Sequence, residues 1–329
     1  MKPFAIHRPV TRRHLLSVAA AGASTVALPA LAQANTTRLL IAFPPGGPVD
    51  FVGRAVAEQL AKELGQTVVV ENRAGANGGI AAEAVIKAPP DGQTLWLTSV
   101  GAVAINPALY EKLSYDPMRD LAPVSLVVNN VELLVVHPSH PASNGAEFVA
   151  WAKAKKGGAT MASSGTGSVP HLAMELLADA TKADLVHVPY KGAAPAITDV
   201  MAGHVDGFFG DIPGLIGFVR SGKLKAVGIA ASRRHPAFPE VKTFKELGVG
   251  DIDSDNWYAI FTGKRVPAAE VDRINQALRR VLNTESVRTK LLASGAEPAA
   301  SSPAELAALL QSDSVKWGRV ISTKKIKPD

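Results

Sequence analysis

Two short stretches carry the residues best suited to hold an anion. The first, Phe43 to Asp50, reads FPPGGPVD and lies between the apolar run Leu39-Leu40-Ile41-Ala42-Phe43 and a helix-period segment, Phe51 to Leu64. A strand, a Gly/Pro loop and a helix in that order turn backbone N–H groups toward whatever sits above the helix N-terminus. Gly46 and Gly47 are expected to permit positive φ and close backbone approach, while Pro44, Pro45 and Pro48 stiffen the loop. The second stretch, Ser163 to Ser168, reads SSGTGS and sits between strand-like Ala159-Thr160-Met161-Ala162 and a helical segment, His171 to Ala180. Its Ser163, Ser164, Thr166 and Ser168 offer hydroxyl donors around Gly165 and Gly167. Two such loops about a hundred residues apart suggest two jaws around one ligand. The plainer reading of each is a βα turn with a helix cap. Neither is a nucleotide P-loop, because no Gly-Lys-Ser/Thr follows.

Single residues add candidates. Asp50 could orient the first loop at its helix start, or meet an amino group if the ligand carries one. His171 could contact ligand or satisfy a core hydrogen bond, and the second reading is preferred. Tyr190 and Lys191 follow a strand, where α/β clefts lie; Lys191 is a counter-charge for a carboxylate and Tyr190 a pocket wall. Asp211 and Ser99 also end strands, and Asp211 fits a hinge or water-binding role as well as ligand contact. Trp257 and Tyr258 read as hinge packing. Ser168, His171 and Asp206 or Asp211 could be drawn as a hydrolase triad, but Gly-x-Ser-x-Gly is missing and triads are recognised by geometry. No His-Glu-x-x-His is present, His137-Pro-Ser-His140 lacks a carboxylate on a shared face, and there is no cysteine, so neither a catalytic residue, a metal ligand set nor a cofactor is expected.

The 329 residues are 47% apolar and 19% charged, enough for two domains at ~150 residues each. The start of the chain reads as an export signal: basic Lys2, Arg8, Arg12 and Arg13, a twin arginine in Thr11-Arg12-Arg13-His14-Leu15-Leu16, an Ala-rich apolar stretch from Ser17 to Leu31, and Ala32-Gln33-Ala34 for cleavage before Asn35. That implies a periplasmic protein. Taking those four basic residues from the 35 Lys+Arg leaves 31 against 29 Asp+Glu. A near-neutral mature chain gives no reason to expect nucleic acid, and Lys324-Lys325-Ile326-Lys327 reads as a solvated tail. A monomer is expected.

The elements that must position these loops alternate strand and helix from Thr37 onward, an α/β pattern with mostly parallel sheets. Val52, Val56, Leu60 and Leu64 form one helix face closed by Gly65. Leu121 to Val128 and Leu133 to Val136 are extended, and the chain first crosses between domains there. Trp257 to Thr262 reads as a returning strand. Two helices end the chain, one bearing Val271, Ile274, Leu278 and Val281, the other capped by Ser302 with Glu305 at its third position.

The mature chain resembles the periplasmic solute-binding proteins of the Bug family, receptors of tripartite tricarboxylate transporters. The stretches that carry the resemblance are FPPGGPVD (43–50), VENRAGANGGI (70–80), PPDGQTL (89–95), NPALYEKLSYDP (106–117), LAPVSLV (121–127), SSGTGSVPHLAMEL (163–176), HVPYKGAAPAITDVMAGHVDGFF (187–209) and DNWYAIF (255–261). They follow the family's order over nearly the whole mature length. The resemblance implies a two-lobed, type II-like clamshell with two crossovers: residues 35–135 plus 259–329 in one lobe and 136–258 in the other. It implies binding without chemistry, domain closure, and delivery to the transporter's membrane subunits. The implied ligand is a di- or tricarboxylate, an acidic amino acid or an aromatic acid, held by backbone N–H groups and water. Pro45, Gly46, Gly47 and Asp50 fall on the family's first loop; Ser163, Ser164, Gly165, Thr166 and Ser168 fall on its second. Two departures stand out: Ala74 where the family often has Pro, and Gly207-Phe208-Phe209 before Asp211, which is expected to narrow or flatten the cleft.

Overall fold

The computed structural model describes residues 36–328; the expected export signal and cleavage site lie outside the described residues. The first lobe opens with β1 (Thr36–Ile41), α1 (Pro48–Leu64), β2 (Thr67–Asn72), α2 (Gly79–Lys87), β3 (Thr94–Ser99) and β4 (Leu121–Asn130). The second lobe holds β5 (Glu132–Val136), α3 (Gly145–Ala154), β6 (Ala159–Ser163), α4 (Val169–Thr181), β7 (Leu185–Pro189), α5 (Ala193–Met201), β8 (Gly207–Asp211), α6 (Ile212–Arg220) and β9 (Lys225–Ala230). The chain then returns through β10 (Asn256–Gly263), α7 (Ala268–Asn283), α8 (Glu285–Ser294), β11 (Glu297–Pro298) and α9 (Pro303–Lys324).

One sheet runs β11-β4-β10-β3-β1-β2 and the other β7-β6-β8-β5-β9. Both are mixed, a correction to the expected mostly parallel pattern. β1 is parallel to β2 and β3, but β10 enters antiparallel between β3 and β4. In the second sheet β5 lies antiparallel between β8 and β9. β5 and β10 each follow directly from a crossing between lobes, which reverses the chain, and β11 adds a second antiparallel strand at the edge of the first sheet. The sheets change hands at Val131 and before Asn256, so the expected boundary at 135/136 falls inside β5 and the one at 258/259 inside β10.

The continuous apolar run of β1 follows from burial on both faces. Leu39 and Ile41 join the core beneath α1, α7 and α8, while Leu40 and Ala42 join the opposite core with α2 and α9. All four are fully buried, and each of the larger three contributes ~1.5–3 kcal/mol on that account. The second sheet is likewise covered by α3 and α4 on one face and by α5 and α6 on the other. α1 starts at Pro48, where a missing N–H costs nothing, and ends at left-handed Gly65 (φ 65°), whose N–H reaches the carbonyls of Ala61 and Lys62. α9 has the expected capping box of Ser302 and Glu305. α8 and β11, between the two expected terminal helices, went unread because α8 buries only Val287, Leu291 and Ser294.

Candidate functional site

Between the lobes lies a small cavity of about 40 Å³. Four helices begin at its wall. Gly47, Pro48 and Val49 come from the start of α1; Ser168, Val169 and Pro170 from α4; Ala193 and Ala194 from α5; and Asp211 is the N-cap of α6. The first N–H groups of each helix have no partner within it, and the aligned peptide dipoles add positive potential there. Ser99 closes β3 at the same wall, and Phe43, Pro44 and Phe208 add apolar surface. The Ser168 hydroxyl is buried without a hydrogen-bond partner.

An outer recess of about 600 Å³ shares Phe43, Pro44, Asn77 and Ser164 with this cavity and is also lined by Gly165, Thr166, Tyr190 and Lys191. The lobes meet at the border. Asn77 Nδ2 donates to the Gly167 carbonyl at 2.9 Å, and Pro44 packs on Gly192, where an added Cβ would lie 3.1 Å from its ring.

The expected candidates therefore divide. Gly47, Ser99, Ser168 and Asp211 line the cavity, joined by Ser164. Gly165, Thr166, Tyr190 and Lys191 line the recess, with exposed Lys191 at its rim. Pro45, Gly46, Asp50, Ser163 and His171 line neither. Asp50 is buried and braces the first loop, accepting from Gly46 N at 2.9 Å, Arg54 Nε at 3.0 Å and Asn72 Nδ2 at 2.8 Å. Burial pushes its carboxyl up, but Arg54, Gly46 and Asn72 more than offset this and hold it below the usual range. Ser163 is fully buried; its Oγ accepts from Gly165 N and meets His187 Nε2 at 2.6 Å. His171 Nδ1 accepts from Gly167 N at 3.1 Å, and its ring stacks on His187 with centroids 3.8 Å apart.

Two corrections follow. Gly46 has positive φ (81°), but Gly47 does not: it is the extended N-cap of α1 at φ −81°, and its position at the cavity wall comes from the helix start rather than from a left-handed turn. The hydrolase arrangement is not assembled, because Ser168 Oγ has no partner, His171 Nδ1 is taken by a backbone N–H, and Asp206 is bound to Lys155 and Thr160. Sequence reasoning missed Asn77, Phe208 and Asn256 as cavity residues. Asn77 had a signal: it precedes Gly78-Gly79 in the quoted loop, and it takes φ 45°, which Asn tolerates better than most side chains. Phe208 lies on the departure expected to narrow the cleft, and its ring fills the space beside Gly210.

The family profile described as Tripartite tricarboxylate transporter family receptor (TctC) matches residues 52–326. Protein BugT of Bordetella pertussis is 33% identical over 289 residues, covering 88% of this chain and 89% of its own. The structure of MatC from Rhodopseudomonas palustris with bound malate is 34% identical and superposes with a TM-score of 0.82 over 87% of this chain and 98% of MatC. That of R. palustris Rpa4515 with adipate is 29% identical, with a TM-score of 0.86 over 89% and 98%. The two lobes, the cleft between them and the match over most of the chain agree: this chain belongs to the tripartite tricarboxylate transporter receptor family, whose members are solute-binding receptors.

Proposed function

We propose that the cleft captures a small organic carboxylate as the lobes close, and that the closed form hands it to the membrane subunits of a tripartite transporter. The observation that carries this reading is the convergence of four helix N-termini on a cavity with an unpartnered buried hydroxyl, Ser168 Oγ. Backbone N–H groups of α1, α4 and α5 take the carboxylate, and Ser168 adds a donor. Closure excludes water, and the charge-assisted hydrogen bonds strengthen as the local dielectric falls. Pro44 on Gly192 and Asn77 on Gly167 act as the latch between cavity and recess. Lys191 at the rim attracts the anion before it enters. No bond in the ligand is made or broken. The relatives bound to malate and adipate support a small dicarboxylate. A monomeric, exported protein working in the periplasm fits this role; among the described residues no helix is long and apolar enough to cross a membrane.

Thermal unfolding against malate, adipate, other organic acids and their amides tests the reading. An acid at a hundred times its Kd adds ~2.7 kcal/mol and raises Tm by several degrees, while its amide does not. Equal shifts with acid and amide, or none with any acid, would contradict it.

A further inference from the structure

Behind the cavity wall, where both crossings join the sheets, two carboxyl groups face each other, and among the described residues no basic side chain is bonded to them. Glu132 opens β5 and Asp211 closes β8, directly opposite each other in the antiparallel ladder. Glu132 is fully buried, and Asp211 reaches the cavity wall. The donors around the pair are aimed mainly at Asp211. Tyr258 Oη donates to its Oδ2 at 2.6 Å and Asn256 Nδ2 to its Oδ1 at 2.8 Å, with a longer 3.4 Å contact from Asn256 to Glu132 Oε1. Glu132 Oε2 is buried with no donor. Two ionised carboxylates cannot be held together there, and the arrangement closes if Glu132 carries a proton and donates it to Asp211.

Among the described residues no cation is paired with Glu132 or Asp211. Burial, and then the Asp211 charge, push Glu132 well above the usual carboxylate range; burial also raises Asp211 against the donors that lower it. Burial and Asp211 keep Tyr258 a phenol. Of the elements packed on β5 and β8, β9 brings Lys225, bonded to the His140 carbonyl; α4 brings His171, bonded to Gly167, and Glu175; α5 brings Asp199, bonded to Tyr190; α6 brings Arg220 at its far end. A separate cavity shares Asn256 with this site; on its wall Arg233 pairs with Glu297 at 2.7 Å, His235 Nε2 lies 3.6 Å from Glu297, Asp313 accepts from Trp257 at 2.6 Å, and Asp255 and Lys316 complete the lining. In the first loop, Asp50 is bound to Arg54.

We propose that Glu132 and Asp211 share a single proton beneath the cleft, and that Glu132 is thereby a positioning residue that makes capture of an organic anion proton-linked. The proton leaves one negative charge below the anion instead of two. It also keeps Asp211 bonded to Tyr258 and Asn256, the residues that bring β10 of the first lobe onto β8 of the second. The binding half of this inference rests on the receptor reading above; the proton itself does not.

Two measurements test it, with E132Q as the variant, because glutamine keeps the shape and a donor to Asp211 but cannot ionise. Infrared spectra of the ligand-free protein near pH 7 should show a deuterium-sensitive protonated-carboxyl band that E132Q removes; a band absent from the wild type, or unchanged in E132Q, overturns the shared proton. Titration with malate or adipate between about pH 6 and about pH 9 should give a Kd that rises with pH in the wild type, by up to about tenfold per unit above the titration of the pair, and stays flat in E132Q. Parallel profiles for the two proteins overturn the linkage. If no organic acid of the panel binds at any pH, the receptor reading fails, and the infrared band still decides the proton.

Discussion

The first and second loops share one grammar, strand to loop to helix N-terminus, yet they brace themselves differently. In the first, the brace is ionic: the Asp50 carboxylate gathers Gly46 N–H, Arg54 and Asn72 beneath the turn. In the second, the brace is uncharged at Ser163 Oγ, which takes Gly165 N–H, and a histidine ring, that of His171, takes Gly167 N–H. In both, polar side chains that looked available for ligand are used to shape the backbone. What remains for the ligand is the start of each helix and, in the second loop, the Ser168 hydroxyl. On the proposed reading the recognition chemistry is therefore main-chain chemistry, with the side chains acting one step behind it.

The comparison can be broken most severely at Gly165. Its φ of 130° excludes a branched side chain, and an added Cβ would stand 3.4 Å from the Tyr190 carbonyl. Gly165→Val is expected to weaken acid binding on the order of a hundredfold or more while far-ultraviolet circular dichroism stays native, since the strain is local. Near-normal binding by calorimetry would remove the second loop from the site. Next comes Asp50→Asn, which leaves the loop shape but removes the ionic brace. It should destabilise the fold by ~1–3 kcal/mol in urea and weaken binding with it. The pH dependence has a definite sign. Asp50 is held below its ordinary value of 3.8, so its contribution is present above that pH and is lost as pH falls through the lowered value. The wild type should lose stability through that acid window more steeply than Asp50→Asn, and matching acid limbs would contradict the ionic brace.

Smaller effects sharpen the contrast. Ser168→Ala removes a donor that has no partner in the protein, so it should weaken binding about tenfold or less, near 1 kcal/mol, without lowering Tm. A drop in Tm with unchanged affinity would make Ser168 a cap and nothing more. Lys191→Ala should have the smallest effect, a few-fold loss concentrated in the association rate and erased by salt, because the side chain is exposed at the rim.

Much of this was legible in the chain, for reasons that differ by element. The Gly/Pro and Ser/Gly loops announced themselves because turn residues interrupt apolar runs. α1 was readable because Val52, Val56, Leu60 and Leu64 recur with its period, and α9 because Ser302 and Glu305 form a cap visible locally. Glu132 was not legible: within Val131-Glu132-Leu133-Leu134-Val135-Val136 it is a single polar interruption, and its meaning depends on Asp211, brought opposite only by the β5–β8 register. Asn256 was hidden for the same reason. The antiparallel insertion of β10 and β5 was unreadable because apolar strands of either sense carry the same pattern when both faces are buried. The division of the candidates between bracing and lining roles depended on side-chain direction, which no spacing rule along a loop supplies.

On the proposed reading, backbone N–H groups at converging helix starts hold the ligand's carboxylate. The most direct test is titration of the ¹⁵N-labelled protein with malate or adipate, followed by amide shifts and hydrogen-exchange protection. The largest changes are expected at the N–H groups of Val49, Asp50, Val169, Ala193 and Ala194, with smaller ones at Lys191. Changes concentrated around Lys191 and the outer recess, with those helix-start amides unmoved, would contradict it.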